Sequence, residues 1–80
     1  MNRFDFSAPA ELYRRRAAGR GPSLYRRFDT AAAAIRYAVE GPGNQDSWLT
    51  TVEVDEERFD RQAIRELYNS SDYPFPRKKA

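Results

Sequence analysis

Two stretches of this chain alternate apolar and polar side chains at a period of two, and two others repeat at the helical period. In "SLYRRFD", Leu24, Arg26 and Phe28 share one face and Tyr25 and Arg27 the other. This predicts a strand with Leu24 and Phe28 inward. In "WLTTVEV", Trp48, Thr50, Val52 and Val54 take one face, while Leu49, Thr51 and Glu53 take the other. That is a second strand, central if the sheet has three. Between them, "DTAAAAIRYAVEGPG" places Ala31, Ala34, Ile35, Ala38 and Val39 on one helical stripe, with Arg36 and Glu40 on the opposite side. Asp29 or Thr30 can cap this helix, because either side-chain oxygen can accept from a first-turn N–H. Gly41, in the left-handed position, and Pro42 should end it. "GPGNQDS" then reads as a loop.

The triplet Arg-Phe-Asp occurs at Arg27 and again at Arg58. The second occurrence has two readings. In one, Asp55 and Glu56 turn the chain, "ERF" is a short third strand, and Asp60 caps a helix from Arg61 to about Asn69. In the other, a helix begins near Glu56 and runs through. The hairpin is preferred, because Asp is a poor helix-interior residue and a good cap. The turn lacks the Asn-Gly or Asp-Gly signature. The two triplets sit in different registers: Phe28 lies seven positions before Ile35, and Phe59 five before Ile64. A duplicated catalytic loop would keep its register. The pair reads as one strand-to-helix joint used twice.

These elements predict a small α/β domain of the α+β type. A three-stranded sheet carries two helices on one face, in the order β-α-β-β-α, and a short N-terminal helix can precede it. Residues 1–23 form a basic arm or that short helix, since "SAPAELYRRRAAGRGP" offers Ser7 as a start and Pro9 in a first turn. Residues 24–73 form the compact domain and residues 74–80 a Pro-containing basic tail. The expected core is Leu24, Phe28, Ile35, Val39, Trp48, Val52, Val54, Phe59, Ile64, Leu67 and Tyr68. The two main strands should run parallel if they share a sheet. Tyr25 and Leu49 are left on an uncovered face.

Composition narrows the chemistry. The chain of 80 residues contains neither Cys nor His, which removes disulfides, thiolate and imidazole catalysis and the usual zinc sites. The core must lean on aromatics, because Phe, Tyr and Trp together number eleven and Ile, Leu and Val only nine. No stretch approaches the roughly 20 apolar residues of a membrane span. A cytoplasmic protein with no membrane contact, no cofactor and no metal is expected. The net charge of +2 is unevenly laid out. Residues 1–23 carry a net +3, residues 24–43 +1, residues 44–73 −5 and the tail +3.

The segments "YRRFDTAAAAIRYAVE" and "EVDEERFDRQAIRELYNSSDYP" resemble a group of small uncharacterised bacterial proteins, over roughly residues 24–74. The resemblance implies a compact α/β domain and transfers no site residues. That group would place an acid in the first turn of the first helix, which "TAAA" from Thr30 to Ala33 lacks.

Several clusters invite a functional reading. Asp55, Glu56, Glu57 and Asp60 could attract a divalent cation, but "DEERFD" lacks the spacing and glycine of an EF-hand loop, and a solvated turn with a helix cap explains it. Glu53 with Asp55, or Asp60 with Glu66, could be an acid–base pair only if a cleft held them. Arg14, Arg15, Arg16 and Arg20, beside Tyr13, could bind a polyanion by phosphate contacts and base stacking. "GRGP" matches the minor-groove AT-hook core poorly. The alternative is a solvated arm. Arg26 and Arg27 could pair with Glu53 or Glu57 across strands. Tyr73 and Phe75 in "DYPFP" either meet a partner or fold back onto the core, and "PRKKA" resembles an import signal in composition alone.

The leading expectation is therefore a non-catalytic protein-interaction or regulatory module, self-associating weakly as a homodimer. Tyr25, Leu49, Tyr73 and Phe75 are its candidate contacts. Non-specific nucleic-acid binding by the arm stands second, and an enzyme third.

Overall fold

The computed structural model describes residues 4–16, 23–41 and 48–75, with Trp48 described in its backbone alone. The elements are β1 (Ala10–Arg16), β2 (Leu24–Phe28), α1 (Ala31–Glu40), β3 (Trp48–Val54), β4 (Glu57–Phe59) and α2 (Arg61–Tyr68). They form a four-stranded sheet in the order β2-β1-β3-β4, with every neighbouring pair antiparallel. The α+β class stands. The sheet gains a strand, and the expected N-terminal helix is replaced by β1.

That strand changes the topology. β1 pairs with β2 from Ala10 opposite Phe28 to Arg14 opposite Leu24, and with β3 from Ala10 opposite Val54 to Arg16 opposite Trp48. It thus separates β2 from β3, which run parallel without touching. Ala, Leu, Glu and Arg are all good helix formers, and they masked the alternation of Ala10 and Leu12 with Glu11 and Tyr13. Tertiary pairing overrides that local preference.

The pleat sorts the side chains. Ala10, Leu12 and Arg14 on β1, with Thr50, Val52 and Val54 on β3, point to the helical side and are buried. α1 touches β1, β2 and β3, α2 touches β3 and β4, and the two helices touch each other. Both helices therefore lie on one sheet face. The four-alanine run lets α1 approach closely, with Ala31, Ala34 and Ile35 all sealed from solvent. Of the expected core, Ile35, Val52, Val54, Ile64 and Tyr68 are buried, and Leu24, Phe28, Val39, Phe59 and Leu67 pack half-buried against them. The side chain of Trp48 lies outside the described residues.

The helix starts follow their caps. Thr30 accepts from the Ala33 N–H at 3.2 Å, so Thr30 and not Asp29 is the cap of α1. Asp60 caps α2 by accepting from Ala63 at 2.9 Å. The cap comes one residue later after Phe28 than after Phe59, which accounts for part of the register difference between the two triplets. The Ala32 N–H donates to the Phe6 carbonyl at 2.9 Å, so the segment before β1 satisfies a second first-turn donor. Gly41 ends α1 in an extended conformation with φ of −78°, not in the left-handed one. Its need for glycine is steric: a Cβ there would meet the Tyr37 carbonyl oxygen at 2.5 Å.

Phe4 and Phe6 before β1, with Tyr73 and Phe75 after α2, close the core with aromatic contacts. Phe4 meets Phe6 at 4.8 Å and Phe59 at 5.2 Å between ring centroids. Phe6 meets Tyr73 at 5.8 Å, and Tyr73 meets Tyr68 at 5.0 Å and Phe75 at 5.9 Å. Residues 72–75 of the "DYPFP" segment have folded back. Tyr73 is buried and its hydroxyl donates to the Ala32 carbonyl at 3.5 Å.

The β3–β4 turn has two residues, Asp55 and Glu56, with φ of 52° and 69°. Positive φ at both positions is what a hairpin of this length uses to match strand twist, at a cost to residues other than Gly. Glu56→Gly should raise stability by about 1 kcal/mol, seen as a higher urea midpoint. Asp60→Ala should lower it by about 1 kcal/mol through loss of the cap.

Candidate functional site

The arginine triplet of β1 is divided by the pleat. Arg14 turns under the helices and is only 3% exposed. Its Nε donates to Thr50 Oγ1 at 3.0 Å and its Nη2 to the Ala38 carbonyl at 3.4 Å. The guanidinium also lies 5.5 Å from the centre of the Tyr37 ring, and Arg26 lies 5.0 Å from that same centre. Ala38 belongs to the last turn of α1, where carbonyls lack helical donors and a cation is favoured. Burial lowers the Arg14 pKa from its ordinary value, yet an Arg remains charged. Arg14 is thus a brace between sheet and helix. Arg15 and Arg16 are exposed, and Arg20 lies outside the described residues.

Among the described residues, no helix covers the opposite face of the sheet. Register places three rows across it. Arg27, Glu11, Glu53 and Arg58 form one row. Tyr25, Tyr13 and Thr51 form the next, and Arg15 and Leu49 the last. Tyr13, Tyr25 and Leu49 are 36%, 55% and 44% exposed, and they are the exposed large hydrophobics among the described residues. All three stand on this face. They line a concavity of about 630 Å³ together with Arg15, Thr51, Arg58 and Arg61.

One carboxylate organises the aromatic row. Glu11 Oε2 accepts from the Tyr25 hydroxyl at 2.6 Å, and Oε1 accepts from the Tyr13 hydroxyl at 3.1 Å. The two rings lie 5.2 Å apart and are tilted by 49°. The Tyr25 and Tyr13 hydrogen bonds, with the Arg27 charge, hold the Glu11 carboxyl below its usual range. The Tyr25 pKa is raised first by its bond to Glu11, and that of Tyr13 first by desolvation and then by Glu11. Glu11 and Glu53 are directly opposite on β1 and β3, a repulsive arrangement. Arg27 beside Glu11 relieves it, as does Arg58, whose Nε lies 3.5 Å from Glu53 Oε1. The cross-strand partner of Arg27 is therefore Glu11, and that of Glu53 is Arg58.

Three residues of the acidic cluster have structural duties. Asp60 is the α2 cap, and Asp55 and Glu56 are the turn. Among the described residues, no group of three or more metal-binding side chains is arranged to hold an ion, and no helix is long and apolar enough to cross a membrane. Phe75 is half-buried against Tyr73, with the Arg36 guanidinium 5.6 Å from its ring centre. The expected contacts Tyr25 and Leu49 are thus together on the open face, while Tyr73 and Phe75 belong to the closure of the core. Tyr13 and Glu11 were not expected there. The alternation within "AELYR" was the signal that could have found them.

Comparison with protein-family models, curated proteins and solved structures finds no match to this chain.

Arg14→Ala should cost about 2–3 kcal/mol, since the buried Thr50 hydroxyl and Ala38 carbonyl lose a charged donor, whereas Arg15→Ala should stay within about 0.5 kcal/mol. Chemical denaturation of the two variants checks this. Alkaline absorbance titration should show Tyr25 ionising above its ordinary value, with Glu11→Gln moving it back down. The stabilisation from a raised Tyr pKa is present at neutral pH and is lost as pH rises through the folded-state value. That from the depressed Glu11 pKa is present above the ordinary carboxylate range and is lost as pH falls through its folded-state value.

Proposed function

We propose that this chain is a small non-catalytic protein-interaction module whose contact surface is the open sheet face. One observation carries the reading: Tyr13, Tyr25 and Leu49 gather on that face around a single concavity. Interfaces favour this arrangement, in which tyrosines supply large contact area with few rotors and a polar rim surrounds an apolar centre. The charges agree with a protein partner better than with a polyanion. Glu11 and Glu53 stand in the middle of the sheet, where phosphates would be repelled, and Arg14, which the polyanion reading needs, is turned inward. Polyanion capture then rests on Arg15, Arg16 and Arg20, with Tyr13 as a stacking surface.

Site-specific photo-crosslinking in cells tests the reading. With p-benzoylphenylalanine in place of Leu49, a discrete protein adduct is expected, identified by mass spectrometry and lost when Tyr25→Asp is added. The same group in place of Glu66, exposed on α2, should give none. Absence of an adduct at Leu49, or an adduct unaffected by Tyr25→Asp, would overturn the proposal. Salt-sensitive binding of a labelled oligonucleotide that Arg15→Ala weakens would favour the polyanion reading instead.

A further inference from the structure

The open face is polar along its strands. At the end marked by the β3–β4 turn stand Glu11, Glu53, Asp55 and Glu56, four carboxylates against the guanidiniums of Arg27 and Arg58, and the carboxylates line a second concavity of about 250 Å³ with Arg27, Pro9 and Ala10. At the other end, beyond the tyrosine row, Arg15 stands beside Leu49, and Arg61 reaches the larger concavity next to Asp60, whose carboxylate is engaged as the α2 cap. The tyrosine row lies between the two.

A surface with an acidic end, an apolar middle and a basic end can complement itself, and one two-fold axis does so. An axis parallel to the strands would lay β2 over β4 of the other copy, bringing Arg27 against Arg58 and Glu11 against Glu53, like against like. An axis running across the strands, above the tyrosine row, reverses strand direction and keeps each strand over its own equivalent. Tyr13 and Tyr25 then meet their counterparts, and the Arg15 row of each copy covers the Glu11 row of the other. Such an isologous contact closes after two copies.

Resting on the reading of this face as a protein contact, we infer that its occupant is a second copy of the chain, docked face to face with antiparallel strands. Arg15 of each copy lies over Glu11 of the other. The apolar centre is small, Tyr13 and Tyr25 of each copy, with Leu49 of each copy falling over the Glu53 position of the other, so the association is weak and its specificity is electrostatic.

Sedimentation equilibrium on the full chain, up to about 1 mM, tests this. The wild-type mass should rise from 9.3 kDa towards twice that value. Arg15→Glu and Glu11→Lys, each alone, should weaken self-association by at least about tenfold, because each brings like charges together twice. An equimolar mixture of the two variants should recover the dimer, since both of its Arg15–Glu11 contacts are then between opposite charges. Circular dichroism establishes that each variant is folded. If Glu11→Lys does not fold, a dilution series of backbone amide shifts replaces the mixture, with changes expected at Glu11, Tyr13, Arg15, Tyr25 and Leu49. A wild-type chain that stays monomeric, a mixture that stays monomeric, or shifts elsewhere would overturn the second-copy inference. A monomeric wild type that still gives a Leu49 adduct with another protein would overturn this inference alone and leave the interaction reading standing.

Discussion

Everything in this domain hangs on β1 forming hydrogen bonds on both sides. Ladders to β2 on one edge and β3 on the other hold the sheet together, and no other strand links these two. With β1 in place, Leu12 and Val52 become the sealed floor on which α1 and α2 rest. Without it, β2 would be a lone five-residue strand and the Ala-rich face of α1 would have little to cover. A domain of this size removes only about 60–65% of its unfolded surface from water, so losing one central strand is not a local injury.

The same strand explains what could be read from the residues and what could not. α1, α2, β2, β3 and β4 were legible because their signals are local: Thr30 and Asp60 cap, Val52 alternates with Thr51 and Glu53, and Asp60 is awkward inside a helix. β1 was not legible because its residues prefer helix in isolation and its partners lie elsewhere in the chain. Its arginines misled for the same reason. Three consecutive Arg look like one cationic patch in a chain without fixed pleat, but a strand sends Arg14 to one side and Arg15 to the other. Tyr25 and Leu49 were placed on the uncovered face from alternation alone. Tyr73 could have gone either way, and the core decided it by offering Tyr68, Phe6 and the Ala32 carbonyl.

Arg14 shows how a small core tolerates a charge. Its guanidinium is taken from water, which is costly without partners. Thr50, the last turn of α1 and the face of Tyr37 supply them. A Leu at that position would bury more easily but would leave the Ala38 carbonyl without this donor. The brace also ties the C-terminal end of α1 to β1 and β3 at once. Sheet and helix are thereby registered at a place where small alanines give little directional grip.

The open face presents the opposite economy. A bare face on a four-stranded sheet invites unspecific association, particularly with aromatic residues on it. Here Glu11 holds both tyrosine hydroxyls, which fixes the direction of their rings and keeps a carboxylate beside them. The row of Arg27, Glu11, Glu53 and Arg58 keeps two acids adjacent although they repel. The Tyr25 and Tyr13 hydroxyls and the Arg27 charge offset that repulsion at Glu11, whose carboxyl stays below its usual range, and Arg58 lies against Glu53. On the proposed reading of this face, Glu11 would in addition accept a guanidinium arriving from a partner. On that reading the apolar residues of this face would supply contact, and its charges would decide which surface, in which orientation, is accepted.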